Sequence, residues 1–223
     1  MLVAQGLAES RNRAQSLILS GNVFAGDRRV AKAGDLLPDE TALTVKGRDH
    51  PWVSRGGVKL DHGLTHFGFD VTGATALDVG SSTGGFTDVL LRRGAAQVVA
   101  VDVGYGLLAW SLRTDERVTV VERVNARALE PAQVGAPVDL VVADLSFIPL
   151  GLVLPALVRC ARPGADLLPM VKPQFEVGRE RLPSGGVVRD QRARAATVRR
   201  VAEQAGALGL GVRGVTASPL PGP

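Results

Sequence analysis

Two lysines and three aspartates carry the chemistry available to this 223-residue chain. Asp78 lies in the apolar run TALDV, just before the turn GSSTGG, and Asp102 closes the run QVVAVD. Asp144 ends VVAD, Lys172 follows LLPMV, and Lys59 stands in SRGGVKL. An acid at a strand tip near a glycine turn can hold both hydroxyls of a ribose, and bare backbone lets a nucleoside come close. A carboxylate between two ammonium groups keeps them oriented, and a cation beside a weakly acidic hydroxyl stabilises the alkoxide that develops on it. Each lysine taken alone also suits a solvated strand-end cation. Three such groups at matching strand ends make a site for activating a hydroxyl.

The glycine turn narrows the nucleoside. A dinucleotide fingerprint, G-x-G-x-x-G, would need glycine where this chain has Ser82 between Gly80 and Gly85, so close approach of a pyrophosphate is disfavoured. Asp78 would repel a phosphate but can accept from an ammonium. S-adenosylmethionine has an ammonium, a ribose and no phosphate. The expected cofactor contacts are Asp78, Gly80, Ser82, Gly84, Gly85, Phe86, Asp102 and Asp144. Asn125, with Arg123, follows VTVVE and borders the adenine or is simply a loop residue. Methyl transfer needs an in-line approach of the acceptor oxygen, so positioning dominates its rate. The competing readings are a turn that only packs helix on sheet and a nicotinamide-dependent oxidoreductase, which the absent glycine weakens.

These residues need strand ends to converge. TALDVG, QVVAVDV, VTVVER, DLVVADL, DLLPMVK and GVRGVTA read as strands with helical segments between them. Such alternation predicts an α/β fold, a doubly wound, Rossmann-like parallel sheet with its ligand crevice outside the carboxyl ends of the strands. Pro173 stops the strand that leads to Lys172. RDQRARAATVRRVAEQAGAL predicts an amphipathic helix with Val198, Val201, Ala202 and Ala205 inside, and the Gly-rich loop GRERLPSGGVVRD lies near Lys172 as a segment suited to close over substrate.

Residues 1–46 differ in character and read as a small α+β domain, joined through a 47–54 linker containing Asp49-His50-Pro51 to a 55–223 catalytic domain. A short helical piece precedes Ser10, which caps a helix over RNRAQSLILS; Gly21 stops it, NVFAG is a short strand and GDRRV a turn. Arg11, Arg13, Arg28, Arg29 and Lys32 form a basic cluster suited to a phosphate backbone, to which Arg55 adds. A solvated positive surface is the plain alternative.

Bulk properties agree with this. The hydrophobic fraction of 45% supports a sizeable core, and a net charge of +4 with arginine far exceeding lysine favours an anionic partner. Cys160 is the only cysteine, which points to a reduced, cytoplasmic setting without disulfides. PLGLVLPALV is too short to span a bilayer, so no membrane association is expected. His50, His62 and His66 lack metal-ligand spacing, so no metal site is expected.

SRNRAQSLILSGNV, Ser10 to Val23, resembles the small RNA-binding domain of the ribosomal-protein-S-four type. From Trp52 onward, VSRGGVKL, LDVGSSTGGFTDVLL, AVDVGYGLLAWSLR, ERVNAR, DLVVADLSFI, LVLPAL, VKPQFEVG and GGVVRD resemble the TlyA family of FtsJ-like RNA 2′-O-methyltransferases. That resemblance implies S-adenosylmethionine as cofactor and ribose hydroxyls of ribosomal RNA, or ribosomal subunits, as substrate. It implies Lys59, Asp144 and Lys172 as three members of a Lys-Asp-Lys-Glu catalytic set. The glutamate, which the family carries on a final strand after SPLPGP, has no counterpart before Pro223. The expectation is therefore a truncated chain, clipped at the N-terminus too, that folds marginally and methylates slowly or not at all. GVRGVTA is then expected to lack its neighbouring strand. The rival classes are a non-catalytic RNA-binding or ribosome-assembly factor and, because some members of the family carry the name hemolysin, a membrane-active protein.

Overall fold

The computed structural model describes residues 1–8, 10–46, 50–135, 137–178 and 187–220. Its larger part is built on five parallel strands: β4 Thr75–Val79, β5 Gln97–Asp102, β6 Val118–Glu122, β7 Val138–Ala143 and β8 Ala161–Pro169. Their order is β6-β5-β4-β7-β8, so the chain winds outward in one direction from β4 and then returns to start in the other at β7. The switch point lies between the carboxyl ends of β4 and β7, where ligands of open α/β sheets bind.

Period-two alternation divides the strand side chains between two cores. Ala76, Val98, Ala100, Leu140 and Val142 pack under helices α2 (Gly56–Phe67) and α3 (Gly85–Arg92), with Leu60, Leu64, Val89 and Leu90 buried among them. Leu77, Val79, Val99, Val101, Val141 and Ala143 pack on the other face against Leu157 and Cys160 of α6 (Leu154–Cys160). A parallel sheet covered on both faces explains why β4, β5 and β7 are continuous apolar runs. Asp78 is the exception within β4: its register partners are Ala100 and Val142, so its carboxylate enters the α2/α3 core. The remaining helices are α4 (Trp110–Arg113), α5 (Pro131–Val134), α7 (Pro173–Glu176) and α8 (Gln191–Ala207). Asp190 caps α8 by accepting from the Arg192 N–H, and Val201 and Thr197 are its buried positions.

The N-terminal unit is smaller. Helix α1 (Arg11–Leu19) starts at Ser10, whose hydroxyl accepts the Arg13 N–H at 3.1 Å, and lies beside an antiparallel sheet of order β2-β1-β3. Its strands are β1 Val23–Ala25, β2 Arg28–Arg29 and β3 Leu43–Val45, closing on Leu2, Leu17, Val23, Val30 and Leu43.

Several expectations change. The opening segment forms hydrogen-bonded turns instead of a helix, because it is too short to offset helix nucleation. The turn in GDRRV is confined to Gly26 and Asp27, while Arg28 and Arg29 are on β2 because they pair with Ala25 and Phe24. Strand β3 has no counterpart among the sequence expectations. The strand placed at DLLPMVK starts earlier and ends at Pro169, since its ladder with β7 ends at Ala143. GVRGVTA is not a strand: among the described residues its backbone makes no ladder with β8, and side-chain contacts hold it instead. Arg213 pairs with Asp166 at 3.2 Å, and Thr216 lies 3.4 Å from His62. Asp49 and most of the Gly-rich loop after Gly178 lie outside the described residues.

Candidate active site

The site grows from two glycine contacts. Gly80, at φ +85°, turns the chain away from β4, and a side chain there would meet the Asp144 carbonyl at 3.0 Å. The ends of β4 and β7 can therefore lie side by side. At Gly85, a Cβ would meet the Gly57 nitrogen at 2.8 Å and the Gly56 Cα at 3.2 Å, so the first turns of α2 and α3 touch backbone to backbone. This close packing holds the start of α2 over the sheet, and Lys59 on its first turn reaches the end of β7.

There the three chemistry-bearing groups meet. The Lys59 ammonium donates to Asp144 Oδ2 at 2.9 Å. The Lys172 ammonium stands 2.7 Å from Oδ1, an ion-pair contact whose angle falls outside hydrogen-bond geometry, and it donates to the Ser146 hydroxyl at 2.9 Å. Burial alone would raise the Asp144 pKa, but Lys59 and Lys172 outweigh it and hold the carboxyl below its ordinary value. Asp144 is therefore ionised throughout the neutral range, between two cations that are themselves only partly exposed. Lys172 is three residues beyond β8 and serves as the N-cap residue of α7, so Pro173 begins that helix as well as ending the extended run.

Asp102, at the tip of β5, accepts the Ser82 N–H on Oδ2 and the Gly104 N–H on Oδ1, both at 2.7 Å. Each oxygen keeps a further lone pair, so the fixed carboxylate can still accept from two hydroxyls. Ser82 itself is held at φ +49°. Asp78 is different: it is 0% exposed, Oδ2 accepts the Thr87 hydroxyl at 2.7 Å, and Oδ1 has no hydrogen-bond partner. Burial pushes its pKa up to about 7, against the lowering effect of Thr87, and the charges of Asp144 and Asp102 add to the rise. Asp78 thus lies under the turn, within electrostatic reach of both other carboxylates.

Phe86 is packed into the α2/α3 core, and Gly84 closes against Leu108 and Leu112. Asn125 is exposed, and its side-chain oxygen accepts the Arg127 N–H at 3.0 Å. Val124 next to it donates its N–H to the Asp102 carbonyl at 3.2 Å, which keeps this segment at the Asp102 edge of the crevice. Arg11 and Arg13 are exposed on the first turn of α1, and Arg28 and Lys32 are exposed nearby in sequence. Arg29 and Arg55 come together: a Cβ on Gly21 would be 2.9 Å from Arg55 Cδ and 3.5 Å from Arg29 Nη1. A cation from each part of the chain therefore flanks one glycine. Of the expected linker, Trp52, Val53 and Ser54 are packed on the larger part, with the Val53 N–H donating to Asp88 at 2.8 Å.

One site feature carried no role in the sequence reading. Phe147 is 88% exposed, at φ +67°, three residues beyond Asp144, and its ring centroid is 5.1 Å from that of Phe175. An aromatic shortly after a chemistry-bearing strand tip, in a chain with 4% aromatics, was the available signal. A polar depression of about 450 Å³ lies at the opposite end of the sheet, lined by Asp70, Asp139, Arg162 and Asp166. It holds none of these groups, and its arginine is paired with Asp139 at 2.8 Å. Among the described residues no group of His, Cys, Asp and Glu has metal-binding geometry, and no helix is long and apolar enough to cross a membrane.

Comparison with known proteins gives this geometry a setting. Residues 52–223 match the FtsJ-like methyltransferase family. The chain is 56% identical over 223 residues to the 16S/23S rRNA (cytidine-2'-O)-methyltransferase TlyA of Mycobacterium tuberculosis, covering all of this chain and 83% of that protein. It is 36% identical over 188 residues to Hemolysin A of Brachyspira hyodysenteriae, covering 84% and 78%. A solved chain from Streptococcus thermophilus superimposes with a TM-score of 0.77 at 39% identity, over 99% of this chain and 81% of that one.

Proposed function

The chain belongs to the FtsJ-like methyltransferase family, and from that premise we propose that it methylates ribose 2′-hydroxyls of ribosomal RNA using S-adenosylmethionine. The observation that carries this reading is the Asp144 carboxylate held between the Lys59 and Lys172 ammonium groups at the switch point of the sheet.

The residues present fit the cofactor. Asp102 offers two fixed acceptors for a ribose, and the orphaned Asp78 Oδ1 beneath the turn is an acceptor that no protein donor satisfies. No lysine or arginine stands in the turn from Gly80 to Gly85 to match a phosphate. When bound, S-adenosylmethionine supplies an electrophilic methyl group on a sulfonium. Asp102 and the Ser82 backbone hold the nucleoside at one end of the crevice. Asp144 fixes the two ammonium groups. Lys172, anchored also to Ser146, stabilises the negative charge that grows on the acceptor oxygen as its proton passes to solvent water; the new O–CH3 bond replaces the S–CH3 bond, which would leave a neutral thioether. The protein's task is orientation in a partly water-excluded site, which suits a displacement at a sulfonium methyl. The exposed Phe147 ring gives an unstacked base a face to rest on beside the reacting sugar. The arginines of α1 and β2, with Arg55, supply contacts for the RNA backbone.

The test is mass spectrometry of nucleosides from ribosomal subunits incubated with S-adenosylmethionine and the protein. Methyl groups on ribose, absent with Lys172→Ala, are expected. Unchanged ribose methylation with a folded, RNA-bound protein would instead favour an assembly factor.

A further inference from the structure

Beyond the catalytic cluster, the loop after β5 divides its apolar side chains in an unusual way. Leu108 and Leu112 turn inward and are buried against Gly84, whereas Tyr105 is 64% exposed and Trp110 76% exposed. Val103, between Asp102 and Gly104, is exposed as well. Two exposed aromatics five residues apart, one in the loop and one opening α4, present ring faces to solvent where an interaction surface can form.

The loop is also fastened. The Gly104 N–H donates to Asp102 Oδ1 at 2.7 Å, and the Gly104 carbonyl accepts the Arg123 N–H at 3.2 Å. The Gly106 N–H donates to Glu122 Oε1 at 2.8 Å, an oxygen that also pairs with Arg113. The Ala109 N–H donates to the Thr83 carbonyl at 3.2 Å. Tyr105 and Trp110 are thus presented by a rigid segment, so little further ordering is required when a partner arrives.

The surroundings select the partner. The Arg123 guanidinium, on a residue held at φ +60°, lies 4.3 Å from the Tyr105 ring centroid. Glu122 is neutralised by Arg113. Asn12, between Arg11 and Arg13 on α1, reaches to 3.8 Å from where a Gly106 Cβ would stand, so the basic N-terminal unit adjoins this loop. Aromatic faces, a stacked guanidinium and continuity with a basic surface are the components that hold unpaired nucleotides, because every base has a stacking face and every linkage a charge.

We infer that Tyr105, Trp110 and Arg123 form a stacking platform for unpaired bases of the RNA substrate, on the cofactor side of the crevice and away from the target sugar. This rests on the reading of the protein as an RNA methyltransferase and narrows its substrate to RNA with an unpaired, loop-like segment beside the modified nucleotide. A continuous duplex would present only its backbone here.

The chain has two tryptophans, and Trp52 is half-buried under the Arg92 guanidinium, so emission changes from exposed Trp110 can be isolated. The full chain is titrated with a short single-stranded oligoribonucleotide and with its duplex, following tryptophan emission and the anisotropy of labelled RNA. Saturable quenching by the single strand but not the duplex is expected, and Trp110→Phe should remove the quenching while keeping the affinity. Tyr105→Ala with Trp110→Ala should weaken single-strand binding about tenfold and leave duplex binding unchanged. Equal quenching by duplex, or unchanged affinity of the double variant, overturns the platform. So does quenching by S-adenosylmethionine alone with none on adding RNA, which would make the patch a cofactor wall. Loss of a concentration-dependent dimer in the double variant would overturn it in favour of a second copy as occupant. If RNA binding depends on Arg29 while the double variant is neutral, only the platform fails. If neither RNA binds, the methyltransferase reading fails and the platform with it.

Discussion

The N-terminal unit and the sheet domain bury their apolar side chains in different ways. The small unit closes over Leu2, Leu17, Val23, Val30 and Leu43, with strands two or three residues long and a surface rich in arginine. The sheet domain has two main cores, one on each face, joined through β4, β5 and β7, which are covered on both sides. A unit with little core contributes little stability of its own, but its charges act at long range and tolerate small shifts of position. A site that must hold Lys59, Asp144 and Lys172 within hydrogen-bond distance cannot tolerate such shifts, and it is built at the ends of strands anchored in the two cores. The two parts meet at Gly21, where the absence of a side chain lets Arg55 and Arg29 share one patch.

The sharpest way to break this contrast is at Asp144. Asp144→Ala leaves two ammonium groups facing each other without their carboxylate, and methyl transfer to ribosomal subunits should fall by roughly a thousandfold with RNA binding unchanged. Single-turnover kinetics beside anisotropy would check both. A loss of RNA binding as large as the loss of activity would show that the two parts are not separable.

Asp78 tests the buried side of the comparison through pH. Its folded-state pKa of about 7 is above the unfolded value of 3.8, so the native state binds the extra proton between them. Stability should fall as pH rises from about 4 to about 7 and then level off, at a cost of up to about 4 kcal/mol. Asp78→Asn removes the charge and keeps an acceptor for Thr87. It should raise the melting temperature at pH 8, change it little at pH 4, and flatten the profile.

The two cores can be compared directly. Leu64→Ala, at a fully buried position on the inner face of α2, should cost about 2–5 kcal/mol in denaturant unfolding. Leu17→Ala should cost less globally and loosen chiefly the N-terminal unit, visible as hydrogen exchange confined to α1 and β1–β3. The smallest effect is expected on the basic face. Arg29→Gln should weaken RNA binding about tenfold, reduce the salt slope by about one, and leave S-adenosylmethionine binding unchanged.

Much of this was legible along the chain because it depends on local pattern. The capped helix at Ser10, the ends of β4, β5, β6 and β7 and the Lys59–Asp144–Lys172 set follow from period, punctuation and residue type, whereas the end of β8 was set by its ladder with β7. GVRGVTA has the same strand-like pattern yet forms no ladder, because a strand needs a neighbour to satisfy its backbone, and pattern does not supply one. Arg28 and Arg29 looked like turn residues until pairing with β1 drew them into a strand.

What the sequence by itself determined is the alternation of parallel strands and helices and which side chains could carry chemistry, since hydrophobic period and glycine placement act within a few residues. Only the tertiary structure decided how deep each group lies. Asp78 and Asp102 both belong to strands that lead into the crevice. The first is enclosed because β5 and β7 flank it and α3 covers it, while the second extends past the sheet to meet backbone N–H groups. The same folding step turned Leu108 inward and left Tyr105 and Trp110 facing out. Burial is set by which distant segments arrive at a residue, and that depends on the arrangement of the whole chain.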